Sequence, residues 1–219
     1  MTGRLLVVCS QNVCRSPYIA LALAQRRDLV DGVEGAAGGL IVASRGTSAT
    51  PGEAMCEVAA QHFTTEQVEG HQSRALTASD LQRADLVLTM SVAERAAAAL
   101  LYPPSRPRTF TIREALHLAH SAPLAASEAE EGTLEHLAVA LNERRGLQPV
   151  PDGPRLGGPR RLRPPRTDPQ DVRDRHREGS RSHRKLFTEL DELIDGLSAL
   201  IPRAPQVVSA ANDADLPLG

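Results

Sequence analysis

The segment at residues 7–17, VVCSQNVCRSP, places two chemically capable residues at a short, fixed spacing. Cys9 is followed by five residues and then by Arg15. A thiolate is the nucleophilic form of cysteine, and a guanidinium can donate two parallel N–H bonds to the oxygens of a phosphate. The spacing therefore predicts a nucleophile and an anion clamp that face one point, with a phosphate ester as the group they act on.

The flanking residues predict how that pair is positioned. Residues 4–8 are mainly apolar and are typical of a parallel strand covered on both faces. Residues 16–27 have helical spacing, with Pro17 suited to the first turn. A loop that enters a helix N-terminus points several N–H groups inward, and the helix dipole favours a negative charge there; the same field lowers the pKa of a thiol. We therefore expect a phosphate-binding loop formed by Ser10, Gln11, Asn12, Val13 and Cys14.

The elements that must position this loop alternate between strand and helix patterns, which favours an α/β fold with a parallel sheet. Further strands are predicted at 40–44, 85–90 and 108–112, and further helices at 51–61, 91–101, 113–120 and 186–201. We expect a three-layer sandwich with a four-stranded parallel sheet. The site should lie at the carboxyl ends of the strands, where open α/β sheets bind ligands.

The domain organisation predicted from composition is one domain over residues 1–201, followed by a disordered tail at 202–219. Residues 121–166 are expected to form a long flexible insertion, because their second half is dense in Pro, Gly and Arg. One more helix is predicted inside that stretch, at 133–145.

Composition restricts the classes of function. A net charge of −2 and an aromatic content of 2% disfavour a nucleic-acid partner. No run of about 18 apolar residues predicts membrane insertion, and the apolar N-terminal segment is too short for a signal peptide. Three cysteines, an odd number, do not suggest a secreted disulfide framework. The expectation is a cytoplasmic protein.

Several segments together resemble the low-molecular-weight protein tyrosine phosphatases. The loop from Cys9 to Arg15, with Ser16 and Pro17, resembles the phosphate-binding loop of that family. Other matching segments are Ser44-Arg45-Gly46-Thr47, Gly70-His71-Gln72-Ser73-Arg74, the strand at 85–90 and the pair Asp168-Pro169. The resemblance covers residues 5 to about 120 and resumes near 168 through the last helix.

The resemblance implies a bacterial-type hydrolase acting on phosphotyrosine in proteins or on small aryl phosphates. Cys9 would form a phosphocysteine, Arg15 would clamp the phosphate, and Asp168 would act as general acid and then as general base. The supporting polar network would contain Asn12, Ser16, Ser44 and His71. No metal or cofactor is expected, since Arg15 and the loop amides supply the positive field.

Three departures from the family keep alternatives open. Gln11 stands where the family usually has glycine, and residues 170–172 lack the aromatic side chains that usually follow the acid. A catalytically weak phosphate- or phosphoprotein-binding module of the same fold is therefore an alternative. Because of the long insertion, Asp152, Asp171 and Asp174 are alternative acids. Val13 favours a tyrosine phosphatase over the family's arginine phosphatases, which carry threonine there.

The other cysteines and the histidines receive weaker interpretations. Cys14 either packs against the loop or forms a reversible disulfide with Cys9. Cys56 is predicted to be a core residue, and as a lone downstream cysteine it disfavours an arsenate reductase. No spacing typical of metal ligands is found among His117, His120, His136, His176 and His183.

Overall fold

The computed structural model describes residues 3–26, 39–120, 133–147, 168–176 and 178–201. Its centre is a four-stranded parallel sheet in the order β2-β1-β3-β4. The strands are β1 (Gly3–Cys9), β2 (Leu40–Gly46), β3 (Leu86–Thr89) and β4 (Thr109–Thr111). The predicted α/β class and the four-stranded parallel sheet are confirmed.

Two hydrophobic clusters cover the two faces of the sheet, which confirms the three layers. Leu5 and Val7 of β1 belong to the larger cluster, whereas Leu6 and Val8 point into the smaller one. Because successive side chains of a strand point to opposite faces, a strand buried on both sides must be apolar throughout. This explains the uninterrupted apolar run that precedes Cys9.

The helices flank the sheet. They are α1 (Arg15–Arg26), α2 (Glu57–Ala60), α3 (Thr65–Glu69), α4 (Ala78–Arg83), α5 (Val92–Leu101), a 3-10 helix (Pro103–Arg108), α6 (Ile112–His120), α7 (Leu134–Arg144) and α8 (Gly179–Leu200). Helix α1 packs on β2 and α8, and α5 packs on β3 and β4.

The prediction of a helix over 51–61 is wrong for its first half. Only α2 is helical, and the preceding residues form a turn and an irregular segment held by backbone bonds to distant residues. The Gly52 N–H donates to the Ser73 carbonyl at 2.9 Å, and the Cys56 N–H donates to the Val13 carbonyl at 2.8 Å. These tertiary bonds outweigh a local helical preference, which is a weak determinant by itself.

Two short helices were missed, although each has a recognisable start. Thr64 and Gln67 form a capping box at α3, and Thr77 and Asp80 form one at α4. Each pair satisfies two N–H groups that would otherwise lack a partner at the helix end. The helices are so short that no apolar period develops, and the cap is their only sequence signal.

The helix predicted at 133–145 is present as α7, inside the stretch expected to form a flexible insertion. Leu134, Leu137 and Leu141 are buried in the main core. The Arg145 guanidinium lies 4.1 Å from the centre of the Phe110 ring, which fastens the end of α7 to β4. The rest of that stretch, and the predicted tail at 202–219, lie outside the described residues.

Among the described helices, none is both long enough and apolar enough to cross a membrane.

The packing of α7 generates a stability prediction. Leu141 is fully buried, whereas Val139 on the same helix is 53% exposed. We expect Leu141→Ala to lower the free energy of unfolding by about 2–5 kcal/mol, because it removes buried methyl groups and leaves a cavity. Urea denaturation measures the change, with Val139→Ala as the matched control at less than about 1 kcal/mol. Equal and small effects of the two substitutions would show that α7 does not contribute to the core.

Candidate active site

The loop between β1 and α1 brings two hydrogen-bonding groups to the sulfur of Cys9. Cys9 is the last residue of β1, and Arg15 is the first of α1. The Cys9 Sγ lies 3.0 Å from the Ser16 Oγ and accepts the Asn12 N–H at 3.2 Å. A hydrogen bond to the charged form of a group favours that form. The contact with the Asn12 N–H therefore favours the thiolate form of Cys9.

Asn12 holds the loop in shape through both its backbone and its side chain. Its φ of 57° is left-handed, a conformation that asparagine tolerates better than most residues. Its Nδ2 donates to the Ser16 Oγ at 3.1 Å and to the Ser44 Oγ at 2.9 Å, and its Oδ1 accepts the Arg74 N–H at 2.9 Å. His71 Nε2 donates to the Asn12 carbonyl at 2.8 Å. The predicted network is thus brought together around Asn12.

Gln11, in contrast, needs no conformation reserved for glycine. Asn12 is the non-glycine residue with positive φ in the described part of the chain, so the Gln11 backbone lies in an ordinary region. The Gln11 side chain is partly exposed. The loop therefore accommodates glutamine without the strain that the departure from the family pattern suggests.

The loop does require a glycine at Gly46, the last residue of β2. A Cβ atom at Gly46 would lie 2.6 Å from the Ser10 carbonyl oxygen and 2.9 Å from the Asn12 nitrogen. Both neighbours are backbone atoms of the phosphate-binding loop and cannot move aside cheaply. The Gly in the Ser44-Arg45-Gly46-Thr47 segment is thus required for close approach of two backbones.

Arg15 is buried and held from two directions. Its Nη1 donates to the Val172 carbonyl at 3.0 Å, and its Nη2 donates to Asp174 Oδ2 at 2.7 Å. The Nη2 also lies 3.6 Å from Glu94 Oε1. The sequence alone does not predict this contact of Glu94. There Glu94 is recognisable only as the third residue after Ser91, the N-cap of α5.

The electrostatics of Cys9 differ from the sequence-based expectation. Burial raises the pKa of the Cys9 thiol, and it outweighs the Arg15 charge and the Ser16 hydrogen bond, which lower that pKa. The buried carboxylate of Glu94 also raises it. The lowered pKa expected from the loop is not found in this arrangement, in which Glu94 and Asp174 offset the charge of Arg15.

The three described aspartates proposed as acids lie in different surroundings. Asp168 is exposed, and its Oδ1 accepts the Gln170 N–H at 2.8 Å within its own turn. Asp171 accepts the Val92 N–H at 2.9 Å at the start of α5. Asp174 contacts the Arg15 guanidinium. The contacts therefore bring Asp174 to the loop, whereas those of Asp168 are local; Asp152 lies outside the described residues.

The remaining cysteines meet two of the histidines on the other side of the loop. Cys14 Sγ lies 3.2 Å from His183 Nε2, and Cys56 Sγ lies 3.7 Å from the same atom. A hydrogen bond from Cys14 outweighs burial and lowers the pKa of the Cys56 thiol below its ordinary value. The sequence interpretation of Cys56 as a simple core residue is therefore incomplete.

A parallel sheet with a Cys-x5-Arg loop between its first strand and first helix is the arrangement expected of a cysteine-dependent phosphatase, because it brings a thiol nucleophile and a guanidinium to one phosphate site. The comparisons with known proteins agree. Residues 4–141 match the low molecular weight phosphotyrosine protein phosphatase family, and the chain belongs to that family. The family assigns it phosphatase activity, and the resemblance stated from the sequence is confirmed.

A curated relative and two solved structures illustrate the likeness. The chain is 35% identical, over 52% of its length and 73% of the relative, to EpsP of Ralstonia solanacearum, described as a probable low molecular weight protein-tyrosine-phosphatase. The low molecular weight protein tyrosine phosphatase of T. tengcongensis is 22% identical with a TM-score of 0.55, and covers 89% of this chain and 97% of its own. The YwlE arginine phosphatase of Geobacillus stearothermophilus is 22% identical with a TM-score of 0.53, over 90% of each chain. At these identities the two structures show the fold alone.

The close approach at Gly46 generates a prediction with an internal control. We expect Gly46→Ala to destabilise the protein by about 1–3 kcal/mol and to weaken binding of inorganic phosphate, because the new methyl group displaces the loop backbone. At Gly70 a Cβ would lie 3.4 Å or more from its neighbours, so Gly70→Ala should change neither quantity appreciably. Urea denaturation and phosphate titration compare the two variants. A Gly46→Ala protein that binds phosphate like wild type would contradict this account of the glycine.

Proposed function

We propose that the protein hydrolyses phosphotyrosine esters in proteins, with small aryl phosphates as further substrates, through a phosphocysteine on Cys9. The main observation behind this proposal is that the Asn12 N–H and the Ser16 Oγ both contact the Cys9 sulfur, in the loop that leads into helix α1. A thiol placed there meets the positive end of the helix and a buried guanidinium, which are the elements of a phosphate site.

In the first step the Cys9 thiolate attacks phosphorus, the S–P bond forms, and the bond to the tyrosine oxygen breaks. Arg15 and the loop N–H groups stabilise the charge on the equatorial oxygens. For this Arg15 must turn its Nη2 from Asp174 to the phosphate. Substrate binding therefore releases the Asp174 carboxyl next to the reacting group.

Asp174, in place of Asp168, is the general acid we propose. Tyrosine has an ordinary pKa of about 10, so its phenoxide is a poor leaving group unless it is protonated. Once Arg15 has turned to the phosphate, the freed Asp174 carboxylate can take up the proton that the Cys9 thiol gives up, and Asp174 would then pass this proton to the departing oxygen. In the second step it would accept a proton from water, which attacks phosphorus, releases phosphate and returns the Cys9 thiolate.

An aromatic substrate is supported by Val13 of the phosphate-binding loop, a partly exposed apolar side chain that can contact a phenyl ring. The similarity to EpsP supports the same substrate class. The binding-only alternative loses its main support, because Gln11 does not strain the loop.

The nucleophile is tested by hydrolysis of p-nitrophenyl phosphate. This ester has a good leaving group, so its turnover depends on Cys9 and Arg15 more than on the acid. We expect Cys9→Ser to lower kcat by several orders of magnitude while the unfolding transition is unchanged. The matched control is Cys56→Ser, which removes a thiol outside the phosphate-binding loop and should keep measurable turnover. Absence of turnover in folded wild type would refute the proposed function.

The acid is tested by comparing Asp174→Asn with Asp168→Asn on two substrates. We expect Asp174→Asn to lower kcat on a phosphotyrosine peptide by about 10²–10⁴-fold, with a much smaller loss on p-nitrophenyl phosphate, whose phenol is more acidic. Asp168→Asn should be close to wild type on both. If Asp174→Asn merely displaced Arg15, both substrates would lose equally. A selective loss in Asp168→Asn would return the role to Asp168.

A further inference from the structure

We propose that Cys14, Cys56, His176 and His183 form a tetrahedral metal site for Zn²⁺. One ligand atom from each residue, two sulfurs and two ring nitrogens, lies within 4.8 Å of all the others. Two cysteines and two histidines are a donor set typical of structural zinc sites. The residues come from three separate parts of the chain, and their spacing in sequence therefore gives no sign of the site.

The distances between the ligand atoms suit an ion with tetrahedral coordination. Bonds of ~2.3 Å to sulfur and ~2.0–2.1 Å to nitrogen place neighbouring ligand atoms of a tetrahedron about 3.3–3.8 Å apart. His183 Nε2 lies 3.2 Å from Cys14 Sγ and 3.7 Å from Cys56 Sγ. The donor set contains no oxygen, which disfavours calcium and magnesium, and tetrahedral sulfur and nitrogen ligands favour zinc.

The fold holds these ligands in place through contacts that do not involve a metal. Cys56 is bound to the phosphate-binding loop by its N–H bond to Val13. His183 is 5% exposed and packs on Phe187, whose ring in turn lies 4.7 Å from the ring of Tyr18 on α1. Three of the four ligands thus lie in packed segments. Little conformational entropy is therefore lost when they bind an ion.

The fourth ligand and the access route lie at the surface. The His176 side chain is exposed, and its ring meets the His183 ring edge to face at 5.1 Å. A cleft lined by Cys56, His176 and His183 opens there, and Glu53 and Glu57 also line it. The two carboxylates favour entry of a cation. Each cysteine that binds as a thiolate releases its proton to solvent, so binding consumes no other reactant.

The position of the site suggests what the ion does. Cys14 adjoins Arg15 in the phosphate-binding loop, and His176 lies two residues after Asp174. A metal bound to both would tie the loop to the segment that carries the proposed acid. His176 is then a positioning residue, and this consequence, unlike metal binding itself, rests on the proposed function.

The decisive measurement is metal binding by the reduced, full-length chain. The protein is stripped with a chelator, kept reduced with a phosphine, and titrated with Zn²⁺ and with Co²⁺. We expect about one ion per chain, and a Co²⁺ absorption spectrum with thiolate charge-transfer and tetrahedral ligand-field bands. The spectrum reports on the ligands directly and does not depend on any variant folding.

Variants identify the ligands. Loss of an outer-shell partner alone weakens metal sites by about 10–100-fold, so Cys56→Ser and His183→Gln, which remove direct ligands, should weaken Zn²⁺ binding by at least about 100-fold. His176→Gln, at an exposed position, tests the fourth ligand with little risk to the fold. His136→Gln is the matched control, because His136 is an exposed histidine on α7 outside the cluster. It should bind like wild type.

The outcomes separate this inference from the proposed function. Any of three results would overturn the metal site: the reduced chain does not bind zinc, the ligand variants bind it as well as wild type does, or freshly prepared protein contains a Cys14–Cys56 disulfide in place of the ion. Zinc binding without aryl phosphatase activity would leave the site standing and refute the proposed function. Where both hold, removal of zinc should lower kcat on a phosphotyrosine peptide more than on p-nitrophenyl phosphate, as expected if the ion positions Asp174.

Discussion

The left-handed backbone of Asn12 is the constraint on which the rest of the site depends. It turns the chain so that the Asn12 N–H faces the Cys9 sulfur while the side chain reaches Ser44 and Arg74. Such a conformation costs of order 1–3 kcal/mol and persists only where the surroundings over-determine it. Here the hydrogen bonds between Asn12 and the neighbouring segments fix this backbone conformation. The requirement for glycine at Gly46 follows, because the turned loop lies directly against the end of β2.

Arg15 connects the phosphate-binding loop to the rest of the fold. Its buried charge is balanced by Glu94 from α5 and by Asp174 from the segment before α8. Removing either partner would leave a buried charge less well compensated, which is costly. The two carboxylates differ in exposure: the Glu94 side chain is 7% exposed, whereas that of Asp174 is 49% exposed. A bound phosphate would therefore displace Asp174 more readily than the buried Glu94.

The sequence was sufficient for the features that depend on local pattern. The apolar strand before Cys9, the helix after Arg15 and the alternation that makes a parallel sheet are all visible in neighbouring residues. The contact of Asp174 with Arg15 and the contact of Cys14 with His183 were not visible, because 159 residues separate Arg15 from Asp174 and 169 separate Cys14 from His183. Asp174 could therefore be named only as one of several alternative acids. Asp168-Pro169 resembled the family's acid by residue type alone, and residue type carries no information about which carboxylate reaches the guanidinium. The start of α8 at Gly179 was missed for a related reason: residues 179–185 are mostly polar, and among those whose burial is described only His183 is buried.

The segment that carries Asp174 has no regular secondary structure, so its position must come from its anchors. On one side the Val172 N–H donates to the Met90 carbonyl at 2.7 Å, and Asp171 accepts the Val92 N–H, which fastens it to the end of β3 and the start of α5. On the other side His176 meets the two cysteines and His183. A catalytic carboxyl on a loop is precise only if both of its flanks are held, since one free flank would allow displacements of the order of 1 Å that are costly in rate. The contact of His176 with His183 is thus one of the anchors on this side, and the position of Asp174 then depends on what joins the four ligand atoms of the proposed metal site.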